Sequence, residues 1–128
     1  MAAVIGVILV DTHFILWERI KPHLLRRGDR DLIDNASIRY ISVVSLWEIA
    51  ILFGLGRVPY DDQLMEVPQG FDLLPIRLNH CRAYAGLPPY HRDPFDRMLL
   101  AQAHSEQVPL LSRDRAMAAY SRHVTILP

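Results

Sequence analysis

Residues 4–10, VIGVILV, are apolar without interruption and rich in β-branched side chains, and an acid, Asp11, ends the run. A strand with no alternating polar positions is covered on both faces, and that is the hallmark of strands inside parallel sheets rather than one-faced antiparallel ones. The run is too short to span a bilayer, lacks a basic leader and ends in an acid rather than a cleavage site, so it reads as a buried strand and not as a targeting segment. This one segment commits the chain to an α/β fold with helices on either side of a parallel sheet.

The rest of the sequence repeats the alternation. A helix begins at Phe14, Ile15, Leu16 and Trp17, Pro22 and Gly28 interrupt it, and a polar helical stretch follows at 29–36. A second strand is expected at 38–44, a helix over 45–56 ending at Gly54 and Gly56, and a third strand at 72–76. Residues 79–91 read as a helix closed by Pro88 and Pro89. The most regular helix carries Pro94 in its first turn and runs to about Glu106. Strands at 108–112 and 124–128 flank a short helix at 115–121. The sum is a doubly wound, Rossmann-like parallel sheet of about five strands with helices on both faces, in one domain over residues 1–128 with no linker, repeat or low-complexity segment.

Four carboxylates, Asp11, Glu48, Asp96 and Asp114, fall where a strand gives way to a helix. Ligands of open α/β sheets collect outside the carboxyl ends of the strands, and clustered buried carboxylates repel one another unless a cation neutralises them. Each acid also has a structural explanation. Ser45-Leu46-Trp47-Glu48 has the form of a capping box. Asp93, Pro94 and Asp96 suit N-cap, N1 and N3 of a helix, with Asp93 assigned to capping first. Asp114 is equally able to cap or to pair with a surface cation. Asp11 is the exception, because a carboxylate directly after a buried strand is expensive to leave unpaired. Four unrelated caps have no reason to recur along one sheet edge, so together the acids outline a pocket for a divalent cation.

Composition narrows the partners. The formal charge is zero and 51% of residues are hydrophobic, with a mean hydropathy slightly above zero. Nucleic acid therefore has to be met by a local basic patch, and the high apolar fraction points to surface reserved for a protein partner, a homodimer or a tight heteromer. Lys21 is the single lysine among fourteen basic residues; the arginines suit phosphate and carboxylate recognition, and codon bias explains them equally well. Cys81 stands alone, which excludes an intrachain disulfide, fits a reducing cytoplasm and makes a packed core thiol the expectation. The six histidines show no HExxH-like spacing and read as scattered surface or capping groups. Trp17 and Trp47 fall on apolar helix faces, where core packing is the expected use.

At these residues the chain resembles the PIN-domain family, and within it the VapC-type toxins of bacterial toxin–antitoxin pairs. The resemblance covers nearly the whole length and rests on ILVDTH, SVVSLWEIAILFGLGRV, LPPYHRDPFDRMLLAQA and LLSRD, in that order. It implies a metal-dependent endoribonuclease in which Asp11, Glu48 and Asp96 are the metal-binding acids and Asp114 the less constant fourth. Asp93 would assist from behind them, and Thr12 would hold the first acid or a metal water, or else cap the following helix. The chain departs from many relatives after Glu48, with Leu52 and Arg57 where they carry lysines, which puts a phosphate contact at Leu52 in doubt.

The expected chemistry is hydrolysis of an RNA phosphodiester with Mg²⁺ or Mn²⁺ and no covalent protein intermediate. Arg92, Arg97, Arg113 and Arg115 are candidates for flanking phosphates, two of the four being expected to serve. Structured tRNA or ribosomal RNA loops are the substrates implied. The resemblance also implies a small VapB-type antitoxin that wraps the toxin and places a side chain in the acidic pocket. A phosphoaspartate receiver needs a lysine late in the sheet, and a haloacid-dehalogenase-like phosphatase needs an acid where His13 stands; neither fits. A non-catalytic PIN scaffold that binds RNA or protein is the remaining alternative.

Overall fold

The computed structural model describes residues 5–127, so Val4 of the first expected strand and Pro128 of the last lie outside it. Strand β1 (Ile5–Val10) lies at the centre of a five-stranded, all-parallel sheet. Its neighbours are β2 (Ala36–Ser42) and β4 (Leu110–Leu111); β3 (Asp72–Leu74) and β5 (Ile126–Leu127) form the edges, in the order β3-β2-β1-β4-β5. Val10 is in register with Ile41 on one side and Leu111 on the other. Successive strands add on one side of β1 until β3, and the chain then crosses to the other side. The crevice between β1 and β4 is where the direction of winding reverses.

The apolar run of β1 feeds two cores. Ile8 and Val10 pack with Phe14, Leu25, Ala36 and Leu111 on one face, whereas Leu9 packs with Leu99, Leu100, Leu110 and Tyr120 on the other. The first face is covered by α1 (Thr12–Ile20) and α2 (Arg27–Asp34), the second chiefly by α5 (Pro94–Glu106). Each fully buried branched side chain here is worth about 1.5–3 kcal/mol relative to exposure. The expected double winding is therefore present.

Several boundaries differ from expectation, each for a local reason. The second strand stops at Ser42 and α3 (Val43–Gly54) begins at once, because the Ser42 hydroxyl accepts a hydrogen bond from Val44 N and caps the helix. Capping overrides the strand preference of Val43 and Val44. Ser45 is thus inside the helix, and the capping-box role for Ser45 and Glu48 is not what the fold uses. The helix ends at Gly54, and Gly56 turns the chain at φ 69°, a left-handed position that favours glycine. The third strand is Asp72–Leu74 only, and α4 (Leu78–Gly86) starts one residue earlier and ends five earlier than the expected 79–91 helix. Residues Arg115–Tyr120 form a 3-10 helix.

Two packing expectations are overturned. Cys81 is exposed rather than a core thiol. Trp47 is 58% exposed and meets Phe95 in an edge-on arrangement, at 5.0 Å between ring centroids. No helix among the described residues is long and apolar enough to cross a membrane.

Candidate active site

The carboxyl end of β1 delivers Asp11 to the crevice beside β4. Asp11 caps α1, its Oδ1 accepting from His13 N at 3.2 Å and lying 3.3 Å from His13 Nδ1. Its Oδ2 accepts from the Ser112 hydroxyl at 2.7 Å, directly after β4. Burial alone would raise the Asp11 pKa; the bonds from His13 and Ser112 outweigh it and hold the group below its ordinary value. The same contact lifts His13 to about 9, with further attraction from Asp96 and Glu48. His13 is therefore a resident cation at neutral pH.

Thr12 and Ser45 share a buried hydroxyl–hydroxyl hydrogen bond of 2.8 Å, which clips α1 to α3. One turn further along α3, Glu48 is half-buried, and its Oε1 is sealed from solvent without a hydrogen-bond partner. Burial raises the Glu48 pKa, partly offset by the neighbouring Thr12 hydroxyl, and the negative charges of Asp93 and Asp11 raise it again.

Helix α5 supplies the next acids. Asp93 is its N-cap, as expected, accepting from Phe95 N and Asp96 N, with Pro94 at N1. Asp96 follows in the first turn, 6% exposed, where the helix dipole favours negative charge. Burial, then the charges of Asp11 and Asp93, push its pKa up to about 7 despite the attraction of His91. Asp114 caps the 3-10 helix through Ala116 N. His91 Nε2 joins the two, 2.9 Å from Asp96 Oδ2 and 3.5 Å from Asp114 Oδ2.

The four acids singled out in the sequence thus converge, linked through these mutual charges and through His91. The four arginines divide. Arg97 spends its guanidinium on the carbonyls of Tyr84, Leu87 and Pro88 and on the Tyr120 hydroxyl. Arg113 pairs with buried Asp29 at 3.0 Å and lies 4.3 Å over the Trp17 ring. Both stabilise the chain internally, whereas Arg92 and Arg115 are exposed beside the acids in sequence. Beyond α3's acid, Leu52 is half-buried and Arg57 exposed.

Sequence reasoning passed over His13, His91 and Ser112. The histidines are not all scattered: two of the six stand among the acids. Their signal was position rather than spacing, since His13 is the second residue of a helix capped by Asp11, and His91 opens the turn that Asp93 closes. His80 does take a capping role, its Nδ1 accepting from Arg77 N at 3.0 Å.

The group of acids keeps one carboxylate oxygen without a partner and one carboxyl displaced up to about 7 by burial and acidic neighbours. The donor set suits a divalent cation: ligand atoms of Asp96 and Asp114 lie with a ring nitrogen of His91 within 4.8 Å of one another, and Asp11 and Glu48 act on Asp96 through their charges.

The sequence profile of the PIN domain matches residues 8–122. The chain belongs to the PIN-domain family. PIN domains are generally nucleases, and their chemistry is the one an acidic crevice at a sheet's switch point serves. None of the curated protein sequences matches this chain. Solved structures share the PIN fold: FitAcB from Neisseria gonorrhoeae (TM-score 0.68, 16% identity, 94% of this chain and 96% of that one); VapBC2 from Rickettsia felis, bound to a promoter DNA fragment (0.66, 14%, 94% and 97%); and VapBC-5 of Mycobacterium tuberculosis, a member of the VapBC family of toxin–antitoxin systems (0.64, 20%, 94% and 95%).

Proposed function

We propose that this PIN domain is the toxin of a toxin–antitoxin pair, a Mg²⁺- or Mn²⁺-dependent endoribonuclease of VapC type that acts in the cytoplasm on tRNA or ribosomal RNA. The observation that carries the metal requirement is the uncompensated charge of the crevice, above all the Asp96 carboxyl pushed to about 7 and the partnerless Glu48 Oε1. Asp11, Glu48, Asp96 and Asp114 would hold the cation. When bound, it supplies an activated water at neutral pH and offsets charge on the cleaved phosphate.

The chain's own groups do the rest. Ser112 and His13 keep Asp11 ionised and fixed in one orientation. Thr12 and Ser45 set the spacing between the helices that carry Asp11 and Glu48. Asp93 anchors the first turn of α5 and so aims Asp96. Arg92 and Arg115, exposed and next to the acids in sequence, would meet phosphates flanking the cleaved bond.

The deciding experiment incubates the purified chain and its Asp96→Asn variant with total RNA in Mg²⁺, Mn²⁺ or EDTA, and maps the new ends. Discrete cuts that need both the metal and Asp96 are expected. A folded chain, free of any co-purified inhibitor, that cuts nothing in either metal overturns the nuclease assignment in favour of a binding scaffold. The likeness to VapBC structures also supports a VapB-type antitoxin as partner; pairing of the toxin as a homodimer is proposed on the high apolar fraction of the chain alone. Expression of the chain alone should arrest growth and co-expression of its neighbouring gene relieve it; a soluble, folded product without arrest counts against the toxin role.

A further inference from the structure

The loop that carries His91 is built with more care than a charge-balancing histidine needs. Tyr120, fully buried, receives a hydrogen bond from His91 N at 2.9 Å and donates to Pro88 O at 2.6 Å. Arg97 donates to that same hydroxyl at 3.0 Å and to the same carbonyl at 2.8 Å. Backbone on both sides of Pro89 and Tyr90 is therefore pinned to α5 and to the chain's last helical turn. A pinned backbone gives its side chain a fixed aim. The imidazole, 16% exposed, presents Nε2 to two carboxylates from different elements, Asp96 of α5 and Asp114 after β4.

The spacings match a coordination sphere. Neighbouring ligands on an octahedral cation bound at about 2.1 Å lie about 3 Å apart; the two nitrogen–oxygen separations are 2.9 and 3.5 Å, and the ligand atoms of all three residues lie within 4.8 Å of one another. The opposite ring nitrogen is held loosely, by Asp93 N at 3.4 Å.

We infer that His91 is itself a metal ligand, forming with Asp96 and Asp114 a mixed nitrogen–oxygen site that gives this chain a preference for Mn²⁺ over Mg²⁺. The inference rests on the proposal that Asp96 and Asp114 hold a cation, and it adds an imidazole that an all-carboxylate crevice lacks. Mg²⁺ keeps oxygen ligands and waters, whereas Mn²⁺ stands at the start of the transition series whose affinity for mixed nitrogen–oxygen sites rises towards Cu²⁺, and so admits an imidazole more readily than Mg²⁺.

Metal-free protein, titrated with Mn²⁺ alone, tests this by electron spin-echo modulation, which detects a nitrogen bonded to the ion without any turnover. Nitrogen modulation is expected in the wild type and in His13→Ala, and is lost in His91→Ala and in the better-packed His91→Asn. Competition with Mg²⁺ should show the Mn²⁺ preference of both His91 variants reduced on the order of tenfold. Modulation that survives in the His91 variants, or Mn²⁺ bound with no nitrogen signal at all, overturns the inference while leaving the carboxylate metal site standing. A wild-type chain that fails to bind Mn²⁺ at millimolar concentration overturns both. Substituting ¹⁵N-histidine in the unmutated chain shifts the modulation if the ligand is a histidine, independently of whether any variant folds.

Discussion

Helix α5 buries polar groups at both ends and treats them in opposite ways. Towards its C-terminus the fully buried Gln102 accepts from the Ser42 hydroxyl at 2.5 Å and donates to Pro75 O, while His80 closes on Glu106 at 2.9 Å. Every group in that network is answered by the protein. At the N-terminal end Asp96 meets His91 Nε2 at 2.9 Å but stands among the like charges of Asp11, Asp93 and Glu48, and Glu48 Oε1 has no partner. Thirteen residues of one helix thus contain a closed polar network and an open one. A chain able to satisfy Gln102 and His80 with its own atoms is under no structural compulsion to leave the acids unsatisfied. The open end is where the proposed function places its metal, because an incomplete buried network costs stability unless something outside the chain completes it.

Asp11→Asn or Asp96→Asn should sharpen this contrast most, lowering RNA cleavage by at least about 100-fold while Asp96→Asn raises the melting temperature of the metal-free chain by removing a repelled charge. A cleavage assay beside a thermal melt reads both; loss of activity with loss of stability would make Asp96 a structural group and break the comparison. Saturating Mg²⁺ or Mn²⁺, at about 100 times its dissociation constant, should stabilise the wild type by about 2.7 kcal/mol, or about 10 °C in Tm. An unchanged melt would mean that the open end needs no cation. At the closed end, Gln102→Ala leaves Ser42 and Pro75 without their partner and should cost about 1–3 kcal/mol, lowering Tm by about 5–10 °C at unchanged metal affinity.

Acidity gives a finer test. The folded pKa of Asp96, about 7, lies above its ordinary 3.8, so the folded metal-free chain binds the extra proton and loses that stabilisation as pH rises towards 7. His13, lifted from 6.5 to about 9, contributes stability present below 6.5 and lost as pH rises through 9. Melts in EDTA from about pH 5 to about pH 8 should therefore fall steadily, and saturating metal should flatten the Asp96 portion. A melt that rises with pH in EDTA contradicts both assignments. The smallest effect concerns Cys81, which should react with a thiol reagent in the native state at the rate of an exposed thiol.

The parts legible in the sequence are those where one physical cue acts alone. β1 is legible because seven consecutive apolar residues admit few other environments, and α5 because Asp93 and Pro94 mark its start without competition. The start of α3 is not, since Val43 and Val44 favour a strand while Ser42 caps a helix, and Ser45 with Glu48 imitates a later start. Asp11, Asp96 and Asp114 are legible because they sit at or just inside helix starts, whereas Glu48 lies inside α3, away from the junction its capping-box pattern suggested. Ser112 and Tyr120 are not, for they reach Asp11 and His91 through tertiary contacts between segments far apart in sequence, such as the 101 residues between Ser112 and Asp11; the contact of His91 with Asp96 is local, but its spacing follows no ligand motif. Cys81 and Trp47 show the limit of residue type as a guide to burial, because a helix has an outer face and apolar residues also occupy it.

That separation of 101 residues has a temporal meaning. During synthesis the first strand leaves the ribosome well ahead of its β4 neighbour, and at about 5–20 residues per second the interval is about 5–20 s. Until Leu110 to Asp114 have emerged, Asp11 lacks Ser112 and the crevice lacks its far wall. A nascent chain that has not yet reached Asp114 therefore cannot assemble the acid cluster.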